Sequence, residues 1–295
     1  MKKLPNFICV GAQKSGTTTL HDILKKHPDI FLPKLKEAHF FDQEKRYKKG
    51  LEWWMDTFFG DYENEKIMGV ITPDYLYYEE VPERIFNDLG SGVKIIIILR
   101  NPVDRAYSHY LMSVRRGFEG LGFNEAIELE SERIPMGEFE RNNFSYIDRG
   151  RYYKQIERYV DLFSKENILF LIFEKDIIND IGPTLFKIQH FLEIDKLILD
   201  ENTKSNPASE PRFKFINKLL RGNNGLKRII KPLIKSKLLR MKILKFIDNT
   251  NQKLIVNKNL SFNNKKDIMN KFFKKDIIKL EEIINSNIDE WKYDE

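Results

Sequence analysis

Four short runs of the chain are apolar almost throughout instead of alternating with polar residues: Phe7–Gly11, Ile67–Thr72, Lys94–Leu99 and Ile168–Phe173. Runs of this kind, rich in β-branched residues, predict strands buried on both faces of a parallel sheet. Between and beyond them lie segments with helical spacing of apolar positions: Thr17–Lys26, Val81–Leu89, Val103–Arg115, Arg151–Phe163 and Thr184–Leu192. Strands alternating with helices predict an α/β fold, a central parallel sheet flanked by helices. Ligands of such sheets bind beyond the carboxyl ends of the strands, so the chemistry is expected just after Val10, Ile71 and Leu99. Past Asn202 the buried-strand pattern stops and Lys-rich helical stretches follow, with Asn202–Arg212 as the expected irregular connection. No internal repeat and no Pro/Gly/Ser-rich linker interrupts the chain. One domain over 1–295 is therefore expected, an α/β core over 1–200 carrying a mostly helical C-terminal part over 201–295.

Composition adds exclusions. With 41% hydrophobic and 32% charged residues the chain reads as globular, and no apolar run approaches the roughly 20 residues of a membrane span. The apolar stretch before Gly11 is shorter than the roughly 7–15 residues of a signal-peptide core, so the expectation is a chain that starts near Met1 and stays in the cytoplasm. Cys9 is the only cysteine, which excludes an intrachain disulfide and predicts a packing residue inside a strand. The net charge of +6 is uneven. Phe213–Ile247 holds eleven Lys or Arg and no acidic residue, leaving the rest of the chain at −5.

The first strand runs into Gly11-Ala-Gln-Lys-Ser-Gly-Thr-Thr-Thr-Leu20 and then a helix. Strand, glycine-bracketed loop and helix N-terminus is the arrangement that points N–H groups and a positive dipole end at a phosphate. The bland alternative is a strand–turn–helix whose Gly and Thr serve only local geometry. A P-loop kinase would read G-x-x-x-x-G-K-S/T. Gly11 and Gly16 keep that spacing, but Thr17 stands in the lysine position and the lysine is Lys14, inside the loop. Such a loop can hold one phosphate with Ser15, Gly16, Thr17 and Thr18 while Lys14 lies against the bond beyond it, which suits a metal-free donor with a single bridging group.

The third long strand ends in Arg100-Asn-Pro-Val-Asp-Arg-Ala-Tyr-Ser108-His-Tyr110. Pro102 and Asp104 fit a helix start. An arginine fork with the Ser108 hydroxyl can enclose a phosphate dianion; a structural salt bridge for Arg100 is the alternative. Lys34-Leu-Lys-Glu37-Ala-His39-Phe-Phe-Asp42 sets titratable groups around two aromatics. It reads either as a solvated acidic turn or as a general base, since a carboxylate in a half-apolar pocket can have a raised pKa.

Together these motifs resemble the PAPS-dependent sulfotransferases (PAPS is 3′-phosphoadenosine 5′-phosphosulfate), notably the heparan sulfate branch and related bacterial enzymes. The family's GxxKSGTTxL loop holds the 5′-phosphosulfate, which implies that job for Lys14, Ser15, Gly16, Thr17 and Thr18. Its R-x-P-x-x-R-x-x-S-x-Y grips the 3′-phosphate, matched here by Arg100, Pro102, Arg105, Ser108 and Tyr110. Its K-E-x-H-F-F-D implies Glu37 as base, with His39 and Asp42 supporting the acceptor site and Lys36 as a contact of the acceptor or the donor; Glu37, Lys14 and His39 are the catalytic candidates. A loop near Ser209-Glu-Pro-Arg212 resembles the family's donor-closing segment and puts Arg212 on the donor. Tyr152 is a further candidate contact, and Trp291 a packing anchor. One departure stands out. The family's E-K-T-P-x-Y is here Val70-Ile-Thr-Pro-Asp-Tyr75, so the family's second lysine is missing and either Lys14 acts alone or another cation takes its place.

The resemblance implies in-line sulfuryl transfer from PAPS to a hydroxyl or amine of a glycan or glycolipid, releasing adenosine 3′,5′-bisphosphate without a metal. The rival classes are a P-loop kinase-like phosphotransferase and a non-enzymatic module that binds anionic polymers. For the basic segment 213–247 three roles are open: a solvated face, a peripheral contact with the anionic inner face of a membrane, and a rim that guides an acidic polysaccharide. No nucleic-acid partner is expected.

Overall fold

Five strands form one parallel sheet: β1 (Phe7–Gly11), β2 (Ile30–Phe31), β3 (Ile67–Ile71), β4 (Lys94–Leu99) and β5 (Ile168–Ile172), in the order β2-β3-β1-β4-β5. Every residue of β1 and β3 is buried, which is why these runs are apolar at each position and show no alternation. The four strands read from the sequence are present to within a residue. The fifth, β2, is two residues long and leaves no run to detect; it pairs with β3 through Ile30 and Ile67. The computed structural model describes residues 3–201, 209–211, 252–254 and 260–293.

The central place of β1 positions the chemistry. Cys9 sits opposite Ile71 on one side and Ile96 on the other, so the segments that follow β1, β3 and β4 leave the sheet side by side. Pairing continues past the strands: the Thr72 N–H donates to the Cys9 carbonyl (3.0 Å) and the Ala12 N–H to the Ile98 carbonyl (2.7 Å). One face of the sheet is covered by α1 (Thr17–Leu24) and by helix Ile181–Phe191, with Leu20, Ile23, Leu185 and Ile188 in the same apolar cluster as Cys9, Ile71 and Ile96. Burial pushes the Cys9 thiol up to about 12, so it packs as a small hydrophobe, as expected.

The chain divides into two compact units, one of Met1–Arg105, Arg151–Ser205 and Ile268–Glu295 and one of Ala106–Gly150 and Asn206–Asp267. The first holds the sheet. Within it the C-terminal helix Lys274–Ile284 docks beside helix Tyr152–Val160, where Asp276 accepts the Tyr153 N–H at 3.3 Å. In the second, buried Glu130 accepts the N–H groups of Ile147 (2.6 Å) and Asp148 (2.7 Å), and Glu119 accepts from Tyr146 Oη (2.8 Å) and Arg133 (2.9 Å). The helices of the C-terminal part agree with expectation. An antiparallel pair, Ser209–Pro211 with Gln252–Leu254, stands where an irregular connection and helices were expected; strands of three residues carry no apolar signature. Arg212 and the basic segment 213–247 lie outside the described residues. Among the described residues no helix is long and apolar enough to cross a membrane.

Candidate active site

The loop after β1 ends on Gly16, in the left-handed region at φ 80°, and Lys14 shares that region at φ 73°. A Cβ on Gly16 would lie 2.8 Å from the Phe173 ring. Any other residue there would carry about 1–2 kcal/mol of backbone strain and displace an aromatic ring. The first turn of α1 contains threonines and no acidic residue, its leading N–H groups have no acceptor within the helix, and the dipole is positive at this end. Ser15 is fully buried and its Oγ has no hydrogen-bond partner among the described residues. A buried hydroxyl left unpaired costs about 1–3 kcal/mol. An anion seated on this loop would supply the missing acceptor, so the residues present fit the phosphate-bearing group that the loop's sequence implies.

Arg100, at the carboxyl end of β4, reaches this same loop. Its Nη1 donates to the Lys14 carbonyl at 2.9 Å, its guanidinium lies 4.8 Å from the centre of the Phe173 ring, and its Nε is buried without a partner among the described residues. Among the described residues Arg100 has no carboxylate ion pair, which sets aside the structural salt bridge as its reason for being there. Tyr152, a candidate ligand contact in the sequence, is instead fully buried behind it, donating from Oη to the Arg100 carbonyl at 2.9 Å. The next residue, Asn101, caps helix Pro102–Arg115 by accepting the Val103 N–H at 3.0 Å. Glu174 accepts the Asn101 N–H and the Trp291 indole N–H, each at 3.0 Å, which gives Trp291 its anchoring role. Ser108 is half-buried on the same helix, within the second unit. Sequence reasoning missed Phe173 and Asn101 as parts of this arrangement. Asn101 was findable, since asparagine directly before proline at a helix start is a common cap; nothing in the sequence signals Phe173.

The third element is the segment Lys36–Asp42. Phe40 and Phe41 are fully buried, Phe40 stacked on Trp54 at 4.9 Å, and their N–H groups both point to Tyr75 Oη (3.0 and 3.4 Å). The aromatics thus fasten the loop to the segment after β3. Glu37 and His39 take left-handed backbone conformations, φ 67° and 47°; three of the non-glycine residues in this region, with Lys14, lie in the two loops of the site. Such conformations concentrate at functional positions. The polar groups form a chain. Lys36 Nζ donates to Thr18 Oγ1 on α1 (2.8 Å) and to Glu37 Oε1 (3.0 Å), Glu37 Oε2 lies 3.7 Å from His39 Nε2, and His39 Nδ1 lies 2.7 Å from Asp42 Oδ2.

This chain sets the charges. Burial pushes the Glu37 carboxyl up, but His39 and Lys36 outweigh it and hold it at about 2. Burial pushes the His39 imidazole down, but the Asp42 and Glu37 carboxylates outweigh that and hold it at about 10. The raised carboxyl pKa read from the sequence is therefore overturned: Glu37 is ionised and His39 is an imidazolium through the neutral range. Among the described residues His39, Asp42 and Asp74 have polar atoms within 4.8 Å of one another, so the ring sits against two carboxylates. A stability consequence follows. Between the unfolded value near 6.5 and the folded value of about 10, the folded state binds the extra proton, so stability must fall as pH rises through this window. Denaturant melts at pH 7 and pH 10 are expected to differ more for the wild type than for His39→Gln; equal differences would remove the imidazolium assignment.

The geometry is matched by known proteins. Residues 4–227 match the family model described as a sulfotransferase domain. Heparan sulfate glucosamine 3-O-sulfotransferase 5 of Mus musculus is 32% identical over 259 residues, spanning 86% of this chain and 72% of that protein. Membrane-associated sulfotransferase kil1 of Dictyostelium discoideum is 40% identical over 114 residues, 38% of this chain and 24% of that protein. The crystal structure of a sulfotransferase from Alicyclobacillus acidocaldarius superimposes with a TM-score of 0.69 at 26% identity, over 98% of this chain and 99% of that one. The chain belongs to the sulfotransferase domain family, and its activity is sulfuryl transfer.

Proposed function

We propose that this enzyme transfers a sulfuryl group from PAPS to a hydroxyl or amine of a glycan, with Glu37 as the base. The observation that carries the proposal is the single chain of contacts from the anion-fitting loop to the carboxylate: Thr18 to Lys36 to Glu37. Lys14, Ser15, Gly16, Thr17 and Thr18 would hold the 5′-phosphosulfate; Arg100, Ser108 and Arg212 would hold the rest of the donor. The acceptor oxygen or nitrogen forms a bond to sulfur as the bond from sulfur to the bridging oxygen breaks, and adenosine 3′,5′-bisphosphate leaves. The acceptor's proton goes to Glu37. Lys14 and the loop N–H groups face the charge growing on the bridging oxygen, a form of stabilisation that is commonly the largest catalytic contribution. His39, an imidazolium tied to Asp42, orients Glu37 and takes no proton itself. Glycan is the favoured acceptor class because a relative matching 86% of this chain is named as a heparan sulfate glucosamine 3-O-sulfotransferase. The kinase-like alternative lacks its lysine, at Thr17.

The test is incubation with ³⁵S-labelled PAPS and a panel of glycans, glycolipids and phenols, with and without EDTA. Label in a glycan supports the proposal; label only in phenols overturns the acceptor class, and γ-phosphate transfer from ATP in its place overturns the donor. We further propose that the basic segment 213–247 holds the enzyme at an anionic surface. The membrane-associated relative favours lipid over polysaccharide. Flotation with anionic vesicles at low salt is expected, and its absence removes the membrane role.

A further inference from the structure

The family's second lysine is absent, and the structure makes its absence concrete. Val70 and Ile71 are buried in β3, 1% and 2% exposed, and supply no cation. The cation found between the donor loop and Glu37 is Lys36. Its side chain is only 18% exposed, and its ammonium makes two contacts that pull in different directions, one to Thr18 in the first turn of α1 and one to Glu37. Thr18 is where the donor's anionic group is expected. An anion there competes with Glu37 for the same ammonium, on a four-carbon stem able to swing between them. The other group facing Glu37 is His39, at 3.7 Å, and it is already committed to Asp42 at 2.7 Å, with Asp74 also acting on its charge. A Glu37 that loses Lys36 thus keeps only its longer, shared contact.

We propose that Lys36 is a donor-operated switch on Glu37. Without donor, its ammonium ties the carboxylate to Thr18. When the anionic phosphosulfate reaches α1, the ammonium turns to it and releases Glu37 to accept the acceptor's proton. Lys36 is in this account a positioning residue for Glu37 and a contact of the donor, and the account rests on Glu37 being the base. It also bears on how a carboxylate held at about 2 in the free protein serves as a base, since Lys36 is one of the two groups that hold it there and its release raises the basicity of Glu37 when the donor is in place. Proton abstraction then follows donor binding and not the reverse.

Coupling between sites is reciprocal, so the switch is measurable without turnover. Calorimetry gives the affinity for PAPS, with no acceptor, of the wild type, Glu37→Gln, Lys36→Met and the double variant. Glu37→Gln frees Lys36 for the donor and should tighten binding about threefold to tenfold, the scale for coupled residues in contact. Lys36→Met should weaken binding, and in its background Glu37→Gln should change nothing. Lys36→Arg should restore the effect of Glu37→Gln. Equal tightening by Glu37→Gln with and without Lys36 would show plain charge repulsion and overturn the switch, as would no tightening in the wild-type background. Turnover separates the two layers. Lost turnover in Glu37→Gln without coupling through Lys36 leaves the base standing and removes the switch alone; normal turnover in Glu37→Gln removes both.

Discussion

Glu37→Gln is expected to lower kcat by about 10²–10⁴, the usual range for loss of a general base, while PAPS still binds. The substitution keeps the shape of the side chain and its place on a left-handed backbone, and it removes the proton-accepting oxygen and the charge. Two neighbours are left in altered states: Lys36 loses this contact at 3.0 Å and His39 the one at 3.7 Å, while the pair of His39 with Asp42 at 2.7 Å survives. Because that pair survives and Phe40 and Phe41 still anchor the loop, the loss should fall on kcat with the fold intact. Glu37→Asp is the graded control. It retains a carboxylate but retracts it by one methylene, and a loss between those of wild type and Glu37→Gln is expected. Asp42 still favours the protonated form of His39 in this variant, though the contribution of Glu37 is gone. Near-normal turnover in Glu37→Gln, measured as ³⁵S transfer to a glycan, would end the base assignment for Glu37.

The scaffold was legible because its physics is local. Strands buried on both faces must be apolar at each position, and β1, β3 and nearly all of β4 show this directly; β5, last in the strand order, is apolar throughout but only half-buried at Leu169, Phe170 and Ile172, and β2 shows nothing, because two residues cannot carry a pattern. The conformation of the loop after β1 was legible for a related reason. Only glycine accommodates φ 80° with the Phe173 ring 2.8 Å from a would-be Cβ, and the lysine displaced from the kinase position can be read by eye. What the sequence hid is the direction of charged side chains. Lys36 and Glu37 are consecutive, and on an extended strand they would point apart. The left-handed turn at Glu37 brings the ammonium within 3.0 Å of the carboxylate, and that contact, together with His39, reverses the expected sense of the pKa shift. Backbone φ at a non-glycine residue has no signature in composition. Phe173 was hidden for a further reason. It lies at the end of a predicted strand, where an aromatic is read as core, and only the structure sets its ring between Gly16 and the Arg100 guanidinium.

Arg100→Ala is expected to weaken adenosine 3′,5′-bisphosphate binding by about 30-fold to 1000-fold, the range for truncating one partner of a buried, hydrogen-bonded charge pair. Two roles are open to this side chain. Its Nη1 bond to the Lys14 carbonyl holds the loop after β1 from behind, while its Nε is buried and, among the described residues, without a partner. The two roles separate by choice of ligand. If Arg100 grips the 3′-phosphate, calorimetry should show the full loss for the 3′,5′-bisphosphate and a small one for adenosine 5′-monophosphate, which fills the loop alone. If Arg100 only props the loop, the two ligands should lose equally, and the 3′-phosphate assignment falls. Arg100→Lys refines the comparison. It keeps the charge but gives up the planar fork and the stacking on Phe173 at 4.8 Å, so it should recover only part of the affinity. Metal enters as a control on the donor class: bisphosphate binding should be the same in EDTA as in Mg²⁺. Tighter binding of ATP with Mg²⁺ than of the bisphosphate would return this loop, despite Thr17 in the lysine position, to the kinase reading.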